Sequence, residues 1–389
     1  MQERKIISVL GASGSVGLQA LDIARMRDYR VDFISVNRDI ARAEDIVREF
    51  SPAFVAVADI SMARDLKDKI ADTGTRVLFG KEGIIEGIRL SKSETVINSI
   101  MGEAGLMPTL AVIDSGKRLA LANKESLVIA GEEVMQRARD RGVEILPVDS
   151  EHSAIFQSLK AGRPREIKKI ILTASGGPFY GKSPEELKSV TLEDTLAHPT
   201  WKMGKKITVD SATLMNKGYE IIEAVHLFGV LPERVEVVVH RQSILHSAVE
   251  YIDNTVIGEF SLPDMRMCVQ YAVDYPTRYE TDLKALDLVK LSKMTFEAPD
   301  CNAFPLLALA KDAMCVGGAM GAIINAADEV AVASFLTRGI SFVGVMRVVQ
   351  ETYDYLKSAG SGAKSLPEIL EFSALAREYS GKIIKEKRY

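Results

Sequence analysis

The hydrophobic pattern changes character twice along the chain. Through residue 148, short apolar runs alternate with stretches of helical period. Strands are expected at 6–10, 31–36, 53–58, 76–79, 95–98, 119–122 and 145–148. Helical patterns follow at 16–24, 40–50, up to Ala71, and at 84–90. Strands alternating with helices predict a doubly wound, Rossmann-like parallel sheet, hence an α/β fold. From 149 to 275 the pattern is mixed. A helix is expected after His152, a strand at 169–172 and an irregular stretch at 175–204. A helical face follows, with Leu214, Ile221, Ile222 and Val225. Strands at 235–239, 245–251 and 256–261, the last two joined by an Asp253-Asn254 turn, predict an antiparallel hairpin. This reads as an α+β domain with a mostly open sheet that could pair across a dimer axis. Residues 276–299 read as a connector. Helical patterns at 306–314, 319–335, 342–356 and 366–383 make 300–389 a small C-terminal helical bundle without a catalytic constellation.

Composition narrows the function classes. The 389 residues are 47% hydrophobic and 26% charged, ordinary for a soluble globular protein. The net charge of −4 argues against a nucleic-acid partner. The clusters Arg163, Arg165, Lys168, Lys169 and Lys202, Lys205, Lys206 read as solvated surface. Cys268, Cys301 and Cys315 show no pairing pattern, which suits free thiols in a reducing compartment. No signal peptide precedes the first strand, and the longest apolar run, 313–324, is too short and Gly-rich to span a bilayer. A cytoplasmic protein with no membrane partner is expected.

The first expected strand ends in Gly11-Ala12-Ser13-Gly14-Ser15-Val16-Gly17 and opens a helix. Glycines there let backbone N–H groups approach a pyrophosphate at the helix N-terminus. The spacing is G-x-x-G-x-x-G rather than the dinucleotide fingerprint G-x-G-x-x-G, and a plain tight turn is the alternative. The second strand ends Ser35-Val36-Asn37-Arg38. No carboxylate stands at its tip for a ribose hydroxyl, and Arg38 suits a 2′-phosphate, so NADPH is favoured over NADH. Asp39 reads as the N-cap of the next helix.

Asp149 and Glu151 lie where a strand ends. Two residues apart on an extended chain, they would point to one side and offer oxygens to a hard divalent ion such as Mg2+ or Mn2+. The alternative is a solvated strand end before a helix. Asn123-Lys124-Glu125-Ser126 follows another strand, where a Lys and a Glu can face ligands or form a surface ion pair at a helix start. The stretch 175–204 carries the only tryptophan, Trp201, beside His198-Pro199, and reads either as a lid or as a loop with a hydrophobic anchor. Ser211, Asn216 and Lys217 offer a hydroxyl, an amide and a point charge to a phosphate. Glu220 is then a third metal carboxylate, unless it forms a surface pair with Lys217. His226, His240 and His246 lack metal spacing and read as structural.

Taken together these residues resemble one family, 1-deoxy-D-xylulose 5-phosphate reductoisomerase. The resemblance rests on GASGSVG at 11–17, LANKES at 121–126, VDSEHSAIFQ at 148–157 and TASGGPF at 173–179. HPTWKMGKKITVDSATLMNKGYEIIEA at 198–224 and NAADEVAV at 325–332 complete it. It implies conversion of that ketose phosphate to 2-C-methyl-D-erythritol 4-phosphate, an isoprenoid precursor, with NADPH and Mg2+, Mn2+ or Co2+, in a homodimer. Metal ligands would be Asp149, Glu151 and Glu220. Substrate contacts would come from Lys124, Ser150, Glu151, Ser175, His198, Trp201, Ser211, Asn216, Lys217 and Glu220, with Lys124, Glu151 and His198 catalytic. NADPH contacts would be Ser13, Gly14, Ser15, Val16, Asn123, Glu125 and Gly204. Asn37, Arg38 and Asp39 would lie near the 2′-phosphate, where relatives often have Gly-Lys/Arg-Asn. Two other readings are a semialdehyde or homoserine type NADPH dehydrogenase and a non-enzymatic dinucleotide sensor. The first would need an acylable Cys in a nucleophile motif, or no carboxylate trio.

Overall fold

The computed structural model describes residues 4–197, 201 and 203–387. His198, Pro199, Thr200 and Lys202 therefore lie outside the described residues. The chain divides into two compact units. The first comprises Met1–Ser126, Val134–Ser153 and Asp264–Leu283; the second comprises Leu127–Glu133, Ala154–Pro263 and Lys284–Tyr389.

Seven strands organise the first unit: β1 (Ile6–Leu10), β2 (Arg30–Val36), β3 (Phe54–Val57), β4 (Arg76–Phe79), β5 (Thr95–Asn98), β6 (Arg118–Leu121) and β7 (Ile145–Pro147). Every pairing is parallel, in the order β4-β3-β2-β1-β5-β6-β7. The order reverses between β1 and β5, and in such sheets the carboxyl ends of the strands at that point form the ligand crevice. The doubly wound sheet anticipated from periodicity is present. Helices α1 (Ser15–Met26), α2 (Ile40–Phe50), α3 (Ile60–Lys69) and α4 (Gly80–Leu90) follow the first four strands. Asp39 and Asp59 cap α2 and α3 by accepting backbone N–H bonds. Helix α5 (Leu106–Asp114) was not legible in the sequence. Residues 108–113 are buried on all sides, so no polar face marks the helical period. Helix α6 (Glu125–Arg141) is interrupted at Ala130, where φ is −142° and ψ is 40°.

After α7 (Ser150–Ser158), β8 (Ile167–Ala174) opens a second sheet. The 175–204 stretch is less irregular than its Gly and Pro content implied. It contains α8 (Pro184–Leu187) and α9 (Leu192–Leu196), each started by a reciprocal cap, Ser183 with Glu186 and Thr191 with Asp194. Next come α10 (Lys205–Ala212), α11 (Met215–Phe228), β9 (Val235–Val239), β10 (Leu245–Tyr251) and β11 (Val256–Phe260). The sheet order is β11-β10-β8-β9. The β10–β11 hairpin is antiparallel as expected, whereas β9 joins β8 in parallel through the long crossover that carries α8 to α11.

Helix α12 (Met265–Asp274) belongs to the first unit, where it packs on α1; the sequence had put it with the middle domain. Lys5 anchors its end, donating to Asp274 Oδ1 at 2.8 Å and to the Val273 carbonyl at 3.0 Å. Within 276–299 only the short helix α13 (Leu288–Leu291) forms among the described residues. The bundle consists of α14 (Leu306–Val316), α15 (Met320–Leu336), α16 (Phe342–Gly360) and α17 (Leu366–Lys387). Their apolar faces share one core with α11 and β8, including Tyr219, Ile222, Leu306, Ile323, Phe342 and Tyr353. Each such side chain contributes roughly 1.5–3 kcal/mol on leaving water. Gly218 lets α11 approach α14 closely: a Cβ there would stand 2.6 Å from that of Ala310. No helix among the described residues is long and apolar enough to cross a membrane.

Candidate active site

In the first unit, β1 runs into the glycine turn at the reversal of strand order. Gly11 has φ +75°, and a Cβ there would lie 2.8 Å from the Ser99 carbonyl oxygen at the end of β5. The turn is tied to β2 by Ala12 N–H donating to the Ser35 carbonyl at 2.8 Å and Gly11 N–H donating to Ser35 Oγ at 3.2 Å. A Cβ on Gly17 would lie 2.3 Å from the Gly11 carbonyl oxygen, so the third glycine lets α1 sit directly on the turn. Gly14 is the N-cap of α1, with no side-chain cap and no acidic residue in the first turn. The Gly14 N–H closes the turn by donating to the Gly11 carbonyl at 3.0 Å, and Ser15 and Val16 stand in the first turn at the positive end of the helix dipole.

Asn37, Arg38 and Asp39 are exposed at the tip of β2. Arg38 Nε is 3.3 Å from Asp59 Oδ2. Asp39 caps α2 through Arg42 N–H at 3.1 Å, the role read from its position.

Beyond β6, the surface ion pair considered for 123–126 is not what forms, because Asn123, Lys124 and Glu125 are all buried. The Asn123 amide donates to the Ile100 carbonyl at 2.7 Å, the Gly102 carbonyl at 3.0 Å and Glu125 Oε2 at 2.7 Å. It clamps the loop after β5 to the start of α6. Lys124 Nζ instead donates to Asp149 Oδ2 at 2.7 Å.

Asp149 and Glu151 do not lie on an extended chain, so that reason for their convergence is corrected. The Asp149 carbonyl accepts the first helical bond of α7 from Ser153 N–H at 2.8 Å, making Asp149 its N-cap. Glu151 stands in the first helical turn, its Oε2 accepting from Ser150 Oγ at 2.6 Å. Burial pushes the Asp149 carboxyl up, but Lys124 and His152 together outweigh it and hold it well below the usual carboxylate range. His152, fully buried with Nδ1 at 3.8 Å from Asp149 Oδ2, was not singled out from sequence. Its position three residues after the N-cap Asp, on the same helix face, was the available signal.

In the second unit, Ser175 follows β8 in a turn where Gly176 and Gly177 have φ +78° and +67°. Ser175 Oγ accepts from Gly177 N–H at 3.3 Å. A Cβ on Gly177 would lie 2.8 Å from the Ser211 carbonyl oxygen, so this turn rests on the C-terminal end of α10. Ser175 and Ser211, distant in sequence, are thereby brought to one place. Between α10 and α11, Leu214 is buried with φ +60°, a conformation that a leucine holds only when its surroundings impose it. On α11, Asn216 Nδ2 donates to Glu220 Oε1 at 2.5 Å and Lys217 Nζ donates to Glu220 Oε2. The Lys217–Glu220 pair is buried rather than a surface pair. Buried ions of this kind are kept by specific partners, and a polar face inside a core is a site signature. Gly204 is the N-cap of α10. The Trp201 ring meets the His246 ring edge-on at 6.2 Å.

Comparison with known proteins agrees with this layout. The family model described as 1-deoxy-D-xylulose 5-phosphate reductoisomerase matches residues 7–131. Two C-terminal domain models of the same family match 145–228 and 260–379. The 1-deoxy-D-xylulose 5-phosphate reductoisomerase of Acetivibrio thermocellus is 47% identical, over 97% of this chain and 99% of its own. That of Chlorobium chlorochromatii is 48% identical, over 90% and 92%. The solved Zymomonas mobilis enzyme, in complex with NADPH, superposes with a TM-score of 0.91 at 39% identity, over 98% of this chain and 99% of its own. A DOX-P reductoisomerase with NADPH, fosmidomycin and magnesium gives 0.94 at 35% identity, over 98% of both chains. With relatives of one activity matched over nearly the whole length, neither the semialdehyde or homoserine dehydrogenase alternative nor the sensor is favoured. The chain belongs to the 1-deoxy-D-xylulose 5-phosphate reductoisomerase family.

Proposed function

We infer that the chain rearranges and reduces 1-deoxy-D-xylulose 5-phosphate to 2-C-methyl-D-erythritol 4-phosphate, with NADPH and a divalent metal. The observation that carries the residue assignment is the Lys124 ammonium donating to Asp149 Oδ2 at 2.7 Å. Asp149, Glu151 and Glu220 hold the ion, Mg2+ or Mn2+ with Co2+ as an alternative. An all-oxygen donor set of three carboxylates fits such a hard cation. Ser13 to Val16 take the pyrophosphate of NADPH, which the uncapped, acid-free start of α1 fits. Arg38 and Asn37 face the 2′-phosphate, and Asp39 supports them by starting α2. Asn123 and Glu125 act by shaping the loop after β5, since their side chains bond each other, and Gly204 contributes as the N-cap of α10.

When bound, NADPH supplies a hydride and the divalent ion supplies Lewis acidity toward adjacent substrate oxygens. Lys124 neutralises negative charge developing on those oxygens, and Ser150 and Glu151 orient them. Ser175, Ser211, Asn216 and Lys217 bind the phosphate, whose remote binding energy favours closure of the 175–204 stretch. His198 and Trp201 exclude water when it closes.

The protein works in the cytoplasm, which the free thiols of Cys301 and Cys315 suit. It acts as a homodimer through the β11 edge, where Val256, Ile257 and Phe260 are exposed. The deciding experiment follows NADPH absorbance with purified protein and 1-deoxy-D-xylulose 5-phosphate, with and without Mn2+. Oxidation only with metal, yielding the branched polyol phosphate, is expected. Oxidation independent of metal would overturn the three-carboxylate site, and no oxidation would overturn the activity.

A further inference from the structure

Lys206 and Asp328 are 122 positions apart and touch. Lys206 lies in the first turn of α10. Its Nζ donates to Asp210 Oδ2 on the same helix at 2.6 Å and to Asp328 Oδ2 on α15 at 2.8 Å. The Asp210 and Asp328 side chains are 5% and 0% exposed, and that of Lys206 is 21% exposed. Lys206 is therefore part of the interior, not of a solvated basic patch.

Two carboxylates sharing one ammonium are a poor way to add stability, because apolar residues of the same size hold helices together as well or better. What a charged contact adds is position. An apolar face tolerates a small slide, whereas an Nζ shared between two carboxylates defines one register. Asp328 belongs to the NAADEVAV segment, which the proposed chemistry leaves unused. On α15 it lies fully buried beside the apolar Ala326, Ala327, Ala331 and Val332 and the buried Asn325.

The position being fixed is consequential. The far end of α10 carries Ser211, followed by the constrained turn at Leu214 and then Asn216 and Lys217. The Ser175 turn rests on the backbone of Ser211 with no room for a single added carbon at Gly177. A shift of α10 by a few tenths of an ångström would separate the two serines.

We propose that Lys206, through Asp328, is a positioning residue for the reaction: it sets the register of α10 against α15 and so aligns the phosphate-binding side chains. This rests on the phosphate assignment of Ser175, Ser211, Asn216 and Lys217. The charge of the tie is removed by Asp328→Asn, which keeps shape and leaves Lys206 paired with Asp210. The holoenzyme with NADPH and Mn2+ should then show about tenfold higher KM for the sugar phosphate, and about tenfold weaker competition by inorganic phosphate. Its kcat should stay within about threefold, and NADPH affinity should not change. Lys206→Arg, which keeps both bonds, should behave like the unsubstituted protein.

An unchanged KM in folded Asp328→Asn would overturn the proposal, as would a parallel loss of kcat and NADPH affinity, the mark of general damage. If the single variant does not fold, Lys206→Gln with Asp210→Asn and Asp328→Asn carries none of the three charges between the helices and serves the same comparison. Ser211→Ala separates the two levels of the argument. A normal KM in that variant would refute the phosphate assignment itself, whatever Asp328→Asn does.

Discussion

Lys124 Nζ and Asp149 Oδ2 stand 2.7 Å apart, joining the residue before α6 to the residue that begins α7. The pair lets a partly buried carboxylate stay charged. Lys124→Met removes the cation and leaves burial opposed by His152, so the Asp149 carboxyl moves up. The acid limb of Mn2+ binding should move to higher pH, and turnover at neutral pH should fall by about a hundredfold or more. A metal titration across about pH 5 to 8 measures this. An acid limb that does not move would remove Lys124 from its assigned role.

Glu220→Gln tests the third carboxylate. Its Oε1 and Oε2 accept from Asn216 and Lys217, and the neutral amide keeps the shape of that arrangement. NADPH affinity should be unchanged while metal-dependent turnover falls by about a thousandfold. Fluorescence titration with NADPH and Mn2+ binding by electron spin resonance separate the two effects. Near-normal turnover would sink the three-carboxylate assignment.

Arg38→Ala addresses cofactor choice. Arg38 is exposed at the tip of β2, beside Asp59. A guanidinium there discriminates by the 2′-phosphate alone, so KM for NADPH should rise about tenfold while that for NADH stays level. Equal effects on both cofactors would show that Arg38 acts on the adenosine, or only on Asp59.

His226 sets an acid limit on stability. Burial pushes its imidazole down from the usual 6.5 to about 4, packed where Gly131 leaves room for the ring. The unfolded chain then binds the proton more readily than the native one, so stability is full above the ordinary histidine pKa and falls as the pH drops. The loss develops between 6.5 and about 4 and amounts to about 3 kcal/mol. Thermal unfolding of His226→Leu should show a shallower decline over that window. An unchanged slope would assign acid sensitivity to other groups.

Much of this protein was legible along the chain. Buried strands separated by helices read directly as a parallel sheet, because each strand must present apolar side chains to helices on both faces. The glycine turn, the lack of an acidic residue in the first turn of α1 and the cap at Asp39 are local matters of backbone geometry and hydrogen bonding, and local sequence specifies them. The residue types on 211–220 announced a polar face at helical spacing.

Other features depended on long-range packing. Asp149 and Glu151 were expected to converge for a geometric reason that fails, since α7 begins at Ser150 instead of the strand running on. Sequence patterns locate ends of elements poorly because caps compete with strand pairing over one or two residues. Lys217–Glu220 and Lys206 read as surface charges, and burial reversed both, since a one-dimensional pattern carries no information about which element will cover a polar face. The parallel pairing of β9 with β8, the meeting of Ser175 with Ser211 and the Lys206–Asp328 tie all join residues far apart in sequence. Residue chemistry and period were written in the chain; which charges would be enclosed together was decided only when the helices and sheets closed around them.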